Sequence, residues 1–182
     1  MNVLIVDDQY ENRYMLTTLL KGNGFAVFEA ENGVEAVDMV QNNPLDLIIS
    51  DILLPRMDGF SFCKEIKGNP EFQKIPFVFY SAAYTDIKDQ QFAMSLGADL
   101  FIVKPTDPIE FISIIQELLS QIPSHEVPDF DKPLSEMDFL SEHNRRLLSQ
   151  LEKKLDELQE ANNALTLSER RYWDLVEEVN PD

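Results

Sequence analysis

The chain has 182 residues, of which 44% are hydrophobic, and it carries a formal net charge of −18. This charge argues against nucleic-acid binding, which needs clustered Lys and Arg, and against docking on anionic lipid. No apolar run approaches the roughly 20 residues of a membrane helix, and the single cysteine, Cys63, cannot form an internal disulfide, so we expect a cytoplasmic protein.

Five short apolar runs alternate with stretches of helical spacing over residues 1–121. The runs are residues 3–6, 25–28, 45–49, 77–80 and 100–103. Turn signals such as Asn32-Gly33 and Asp58-Gly59 separate the elements. Continuous apolar strands alternating with helices are typical of parallel strands covered on both faces. The pattern therefore predicts an α/β domain, with a five-stranded doubly wound parallel sheet, over residues 1–121.

Polar side chains close four of these runs. Asp7 and Asp8 follow the first run, Asp51 the third, Ser81 the fourth and Lys104 the fifth. Functional groups of doubly wound sheets gather at the carboxyl ends of the strands, so we expect these five residues to converge on one edge. Three clustered carboxylates need a cation, and Mg²⁺ prefers oxygen ligands. A carboxylate beside such an ion can attack a phosphoryl group, whose oxygens Lys104 and Ser81 would neutralise.

Ordinary structural roles for the same residues stay open on the sequence. Asp8 could cap the helix that follows it, because Asp is a favoured N-cap residue. Asp7 could be solvated, Lys104 could be a surface charge, and Ser81 could simply end a strand.

Four motifs together resemble the receiver domain of two-component response regulators. They are VDDQ, DILLPRMDG, SAA and KP, each placed directly after one of the predicted strands. The resemblance covers residues 2 to about 121. It implies a flavodoxin-like sheet in the order 2-1-3-4-5, and a phosphohistidine-bearing sensor kinase or phosphotransfer domain as partner.

The resemblance also assigns roles to the residues of the acidic site. It makes Asp51 the phosphoacceptor. It implies that Asp8, Asp51 and the backbone carbonyl of Leu53 bind Mg²⁺ directly, while Asp7 acts mainly through water. Lys104 would contact the phosphoryl group, and the Lys104–Pro105 bond would be cis.

A conformational switch and a slow hydrolysis are further implications. In receivers of this kind the switch pairs a hydroxyl after strand four with an aromatic residue on strand five, here Ser81 and Phe101. A permanently buried Phe101 is the alternative. Leu53 and Ala83 flank the acceptor, and since an apolar Leu53 cannot orient attacking water, we predict a slowly hydrolysing aspartyl phosphate.

Residues 122–134 contain Pro123, Pro128 and Pro133 and are predicted to form a linker. Residues 135–179 are predicted to form a helix that dimerises as a coiled coil, because a seam alternates spacings of three and four. Its positions are 148, 151, 155, 158, 162, 165, 169, 172, 176 and 179. A single amphipathic helix packed on the sheet domain is the alternative.

The final segment, LSERRYWDLVEEVNPD, resembles the start of a PAS sensor domain. That resemblance would make the chain a fragment of a longer protein, such as a hybrid histidine kinase. Alternatively, Tyr172, Trp173 and Leu175 only close the seam.

Three functions remain open at this level. The first is a phosphoacceptor receiver, which is no enzyme in its own right. The second is a Mg²⁺-dependent phosphohydrolase with an aspartyl-phosphate intermediate, although such enzymes usually carry an Asp where Gln9 stands. The third is a coiled-coil scaffold whose receiver is never phosphorylated.

Overall fold

The structure is a computed structural model that describes residues 1–83, 86–121 and 136–179. The chain divides into two compact units, Met1–Leu134 and Ser135–Asp182. The predicted linker, residues 122–134, and residue 135, the first of the predicted coil, lie outside the described residues.

The first unit is a parallel five-stranded sheet flanked by helices. Its strands are β1 (Asn2–Val6), β2 (Ala26–Ala30), β3 (Leu47–Ser50), β4 (Phe77–Ser81) and β5 (Leu100–Val103). Its helices are α1 (Tyr10–Gly22), α2 (Gly33–Asn42), α3 (Gly59–Gly68), α4 (Ile87–Ser95) and α5 (Pro108–Gln121). The strand order is β2-β1-β3-β4-β5, and every pair is parallel. The predicted fold class and strand order are therefore confirmed.

Apolar residues cover both faces of the central strands, as a buried parallel sheet requires. On one face, side chains of α1 and α5 join the strands in a core that includes Leu16, Leu20 and Phe111. On the other face, the ring of Phe60 in α3 packs against Phe79 of β4, with centroids 5.5 Å apart, and against Phe92 of α4, with centroids 5.1 Å apart. Cys63 is fully buried there.

Side-chain caps start two of the helices on this side of the sheet. Asn32 accepts a hydrogen bond from the Glu35 amide at the start of α2, and Asp58 accepts from Phe60 and Ser61 at the start of α3. The N-cap of α1 is Gln9, which makes no side-chain capping bond. Asp8 is therefore not the N-cap residue of α1, and that alternative role is wrong.

The second unit is one helix, α6 (Glu136–Val179), of 44 residues, or about 66 Å at 1.5 Å per residue. Five seam leucines on it are 58–65% exposed: Leu148, Leu151, Leu155, Leu158 and Leu165. The predicted C-terminal helix is confirmed, whereas its dimerisation stays a prediction. None of the helices in the described ranges combines the length and the hydrophobicity needed to cross a bilayer.

Candidate functional site

The ends of four strands, β1, β3, β4 and β5, carry the candidate site at one edge of the sheet, and backbone hydrogen bonds fix where Asp7 and Asp51 leave it. The Asp7 amide donates to the Ala30 carbonyl at 3.2 Å, and the Asp51 amide donates to the Val6 carbonyl at 2.8 Å. Because these bonds continue the strand ladders past the last strand residues, Asp7 and Asp51 leave the sheet in register. The predicted convergence at the carboxyl ends of the strands follows from this arrangement.

The Lys104 ammonium bridges two carboxylates that are 44 residues apart from each other along the chain. Its Nζ donates to Asp7 Oδ2 at 2.6 Å and to Asp51 Oδ2 at 2.8 Å. The side chains of Asp7, Lys104 and Asp51 are 2%, 13% and 15% exposed. Lys104 is therefore no surface charge and Asp7 is not solvated, so both of those ordinary roles are wrong.

The second oxygen of the Asp51 carboxylate is also held. Ser81 Oγ donates to Asp51 Oδ1 at 2.5 Å, and the Ile52 amide donates to the same atom at 2.6 Å. The Leu53 amide points to it from 3.4 Å. Ser81 is fully buried, and its Oγ accepts from the Ala83 amide at 3.2 Å. Ser81 is consequently oriented toward Asp51 by the loop that follows β4.

Asp7 is supported by residues of α1 that the sequence analysis did not identify. Asn12 Nδ2 donates to both oxygens of the Asp7 carboxylate at 3.1 Å, and the Gln9 amide donates to Asp7 Oδ1 at 2.9 Å. Arg13, which is 6% exposed, donates to the Asp7 carbonyl at 2.8 Å and pairs with Glu31 at 2.6 Å. In the sequence, the only sign of these contacts is that Asn12 and Arg13 follow Asp7 by five and six residues, close enough to reach back to it from the first turn of α1.

Asp8 lies beside this network without a direct hydrogen bond from its side chain to Asp7, Asp51 or Lys104, and it is largely exposed. Partial burial raises the pKa of Asp8, and the negative charges of Asp7 and Asp51 raise it further, against the opposing effects of a backbone hydrogen bond and of Lys104. The single positive charge of Lys104 thus lies near three carboxylates and does not fully offset the repulsion of Asp8 by Asp7 and Asp51.

The negative charges of Asp7 and Asp51, which destabilise the charged form of Asp8, stabilise the charged form of Lys104. Burial by itself would lower the pKa of Lys104, but the charge and hydrogen bond of Asp51, followed by those of Asp7, raise it above its ordinary value. Lys104 is therefore a permanent cation at neutral pH. Its peptide bond to Pro105 is cis, which confirms that prediction.

Leu53 and Phe101 are the remaining predicted residues. Leu53 is 39% exposed, and Phe101 is half-buried with its ring centroid 6.1 Å from that of Phe79. The alternative of a fully buried Phe101 is therefore wrong.

A close backbone approach makes Gly59 part of the site. A Cβ atom at Gly59 would collide with the carbonyl of Asp51 and the Cα of Ile52, and the Gly59 amide donates to the Ile52 carbonyl at 2.8 Å. The sequence showed Asp58-Gly59 only as a turn signal. Its actual role is to bring the start of α3 directly onto the loop that carries Asp51.

The donor set fits a magnesium ion only with some rearrangement. Within the described ranges, no three His, Cys, Asp or Glu side chains form a ready-made metal cluster. The Lys104 ammonium instead lies between Asp7 and Asp51. However, Mg²⁺ is usually bound through one or two carboxylates and several waters. The excess negative charge at Asp8 and Asp51 therefore suits such an ion.

Comparison with known proteins places the chain in a family. Residues 3–116 match the response regulator receiver domain. The chain is 35% identical over 117 residues to the response regulator GtcR of Aneurinibacillus migulanus, covering 64% of this chain and 47% of GtcR. It is 35% identical over 122 residues to the response regulator Rre1 of Synechocystis, covering 66% of this chain and 52% of Rre1.

Solved structures agree with this assignment. The signal receiver domain of a signal transduction histidine kinase from Syntrophus aciditrophicus is 34% identical, with a TM-score of 0.62, and the match covers 69% of this chain and 94% of that domain. The chain spans about half the length of the curated response regulators it matches. The chain thus belongs to the response regulator receiver domain family of two-component systems, over residues 3–116.

Proposed function

We propose that this receiver accepts a phosphoryl group on Asp51 from the phosphohistidine of a sensor kinase or phosphotransfer domain. The observation that carries the proposal is the Lys104 ammonium, held 2.8 Å from Asp51 Oδ2 while Ser81 Oγ donates to Oδ1. Two donors from the ends of β4 and β5 therefore already contact the carboxylate that would carry the phosphate.

The chemistry balances without a further co-reactant. An oxygen of the Asp51 carboxylate attacks phosphorus, the P–N bond to the donor histidine breaks, and the bonding electrons return to the imidazole. Lys104 and the Ser81 hydroxyl move from the free carboxylate to oxygens of the transferred group, where they stabilise its negative charge. Asp7, buried and paired with Lys104, keeps the ammonium aimed at the acceptor.

Magnesium is the cofactor that suits the remaining charge. We assign its ligands to Asp8, Asp51 and the carbonyl of Leu53, with Asp7 acting through water. The ion, when bound, would neutralise charge on the phosphoryl oxygens. The raised pKa of Asp8 supports this assignment, because a cation next to the carboxylate would remove the repulsion from Asp7 and Asp51.

The response to phosphorylation would begin at Ser81. When its hydroxyl turns toward the phosphate, it gives up its present bond to Asp51 Oδ1, and the half-buried ring of Phe101 can fill the space left behind. Phosphorylation needs only to favour one of two existing arrangements of this region. Leu53 offers no polar group to attacking water, so the phosphate would hydrolyse slowly.

The output would pass through α6 as a dimer in the cytoplasm. The five exposed seam leucines form an apolar stripe, and water-exposed leucines in this spacing are typical of a coiled-coil seam. Leu155→Lys should shift the chain from dimer to monomer in light scattering after size exclusion. Leu167→Lys is the matched control, because Leu167 is 58% exposed but lies off the seam. A wild-type monomer would refute the dimer.

Two other functions make different predictions. A phosphohydrolase would turn over a generic phosphate ester, and a constitutive scaffold would bind neither Mg²⁺ nor a beryllofluoride mimic of the phosphoryl group. The hydrogen bonds around Asp51 favour the receiver over a scaffold, since a scaffold has no need for a buried lysine between two acids.

Acetyl phosphate labelling tests the proposal directly. With Mg²⁺, the wild-type chain should gain one phosphoryl group in intact-mass spectrometry, and Asp51→Asn should gain none while keeping the wild-type circular dichroism. Asp38→Asn is the control, because Asp38 is an exposed carboxylate on α2. Equal labelling of Asp51→Asn and wild type would refute Asp51 as the acceptor.

A further inference from the structure

A second concave site lies on the side of the sheet that α1 and α5 cover. It is a cavity of about 420 Å³ between α1, the end of β4 and the start of α5. The rings of Tyr14, Tyr80 and Phe111 and the side chain of Leu16 contribute to its walls. This volume lies within the range of small-molecule pockets, and the largely apolar walls are also typical of them.

The Tyr80 hydroxyl is an unpaired polar group in this cavity. Tyr80 is 4% exposed, its ring packs 4.8 Å from that of Phe111, and it lines the cavity. Within the part of the chain that the structure describes, its hydroxyl makes no hydrogen bond. The Tyr80 oxygen is not among the fully buried unpaired atoms of the described residues, so it keeps access to solvent. A ligand in the cavity can therefore accept the hydrogen bond that water would otherwise accept.

Both threonine hydroxyls of the walls already donate within the protein, and Tyr14, the other tyrosine of the walls, is 61% exposed. Thr18 Oγ1 donates to the Tyr14 carbonyl at 2.8 Å, and Thr106 Oγ1 donates to the Val103 carbonyl at 2.7 Å. No charged side chain is among the residues that line the cavity. A charged ligand would lose its hydration without gaining a counter-ion, so the walls select a neutral molecule.

The cavity also touches the phosphorylation site. Lys104 Nζ lies 5.2 Å from the centroid of the Tyr80 ring, over its face. A cation at this distance is attracted by the ring quadrupole. A ligand in the cavity can therefore change the environment of Lys104 through the Tyr80 ring, which contacts both.

We propose that this cavity binds a small, neutral, largely apolar molecule that offers one hydrogen-bond acceptor to the Tyr80 hydroxyl. An aromatic ketone has this chemistry, because its ring can pack against Tyr14 and Phe111 while its carbonyl accepts from Tyr80. Binding satisfies the unpaired hydroxyl and changes the surroundings of Lys104.

Two probes of nearly equal shape separate the hydrogen bond from apolar contact. Acetophenone has a carbonyl where α-methylstyrene has a CH₂ group. In amide NMR titrations of the full chain, both should shift residues 14–19 and 111 saturably, and acetophenone should bind about fivefold more tightly, as one neutral hydrogen bond predicts. The Lys104 side-chain signal should shift with the same dissociation constant.

The variant Tyr80→Phe removes the hydroxyl and keeps the ring. It should abolish the preference for acetophenone and leave the affinity of α-methylstyrene unchanged, which also shows that the variant is folded. Leu19→Trp, placed in the cavity wall, should block both probes. Equal affinities in the wild type, an unchanged preference in Tyr80→Phe, or shifts confined to α6 would each overturn the proposal.

Discussion

Replacing Lys104 by Met should strongly destabilise the metal-free protein. The substitution keeps an apolar stem of similar length but removes the ammonium that bridges Asp7 and Asp51. Asp7 is 2% exposed, so its charge would remain buried without a cation. We expect the structure to tolerate this poorly at neutral pH.

The expected loss of unfolding free energy in Lys104→Met follows from the burial of the Lys104–Asp7 ion pair. Breaking a buried ion pair by removing one partner costs about 3–5 kcal/mol. Asp7 keeps its hydrogen bonds from Gln9 and Asn12, and Asp51 keeps those from Ser81 and Ile52. We therefore expect the lower end of that range, about 3 kcal/mol of unfolding free energy at pH 7.

Urea unfolding followed by circular dichroism, at one protein concentration and with EDTA present, measures this loss. Lys74→Met is the control, because Lys74 is exposed and outside the site. Adding Asp7→Asn to Lys104→Met should recover at least about 1 kcal/mol, since it removes the unpaired charge. A loss below about 1 kcal/mol, or no recovery in the double variant, would refute the account of this ion pair.

The contribution of Lys104 to the unfolding free energy should fall as the pH rises. The folded-state pKa of Lys104 is raised, first by Asp51 and then by Asp7. Its contribution to stability is therefore fully present below the unfolded pKa, about 10.4, and is lost as the pH rises through the folded pKa. The stability difference between wild type and Lys104→Met should accordingly narrow above about pH 10.4. A constant difference through that window would contradict the raised pKa.

Three further variants test other parts of the site. Asp8→Asn should raise the metal-free unfolding free energy by less than about 1 kcal/mol, because Asp8 is largely exposed. Because the folded pKa of Asp8 is raised, this gain should be full above that pKa and should vanish in urea titrations as the pH falls to the unfolded value. Ser81→Ala should slow labelling by acetyl phosphate about tenfold or more, since it removes the hydroxyl that would move from Asp51 to an oxygen of the transferred phosphoryl group; an unchanged rate would contradict this. Gly59→Ala should cost about 1–3 kcal/mol in urea unfolding, because its Cβ meets the Asp51 carbonyl. Gly22→Ala, with nothing within 4 Å of the new Cβ, should cost nothing; equal losses in the two glycine variants would refute the steric argument.

The fold could be predicted because its signals are local. Each buried strand is a continuous apolar run, and each helix shows its own spacing, so the five β/α units follow from the sequence. The predicted boundaries of β2 were less accurate: it runs to Ala30 rather than residue 28. Glu29 obscured this end, because a charged residue argues against a strand. In the structure Thr17 donates to Glu29 at 2.9 Å, and Arg13 lies 3.7 Å from it.

The site could be predicted only in part, because its supporting contacts depend on tertiary packing. The positions of Asp7, Asp51, Ser81 and Lys104 follow from parallel strands that end at one edge. The roles of Arg13 and Gly59 do not, since a buried guanidinium on a carbonyl and a close approach of two backbones leave no pattern in one sequence. Nor does one sequence show that the Lys104 ammonium lies between the carboxylates of Asp7 and Asp51.

The identity of the labelled side chain tests the central claim most directly. After treatment with acetyl phosphate and Mg²⁺, borohydride reduction converts an aspartyl phosphate to homoserine, which peptide mass spectrometry can locate. We expect homoserine at position 51 alone, and none when EDTA replaces Mg²⁺. Homoserine at another carboxylate, or an intact Asp51 in a fully folded protein, would contradict the assignment of this site.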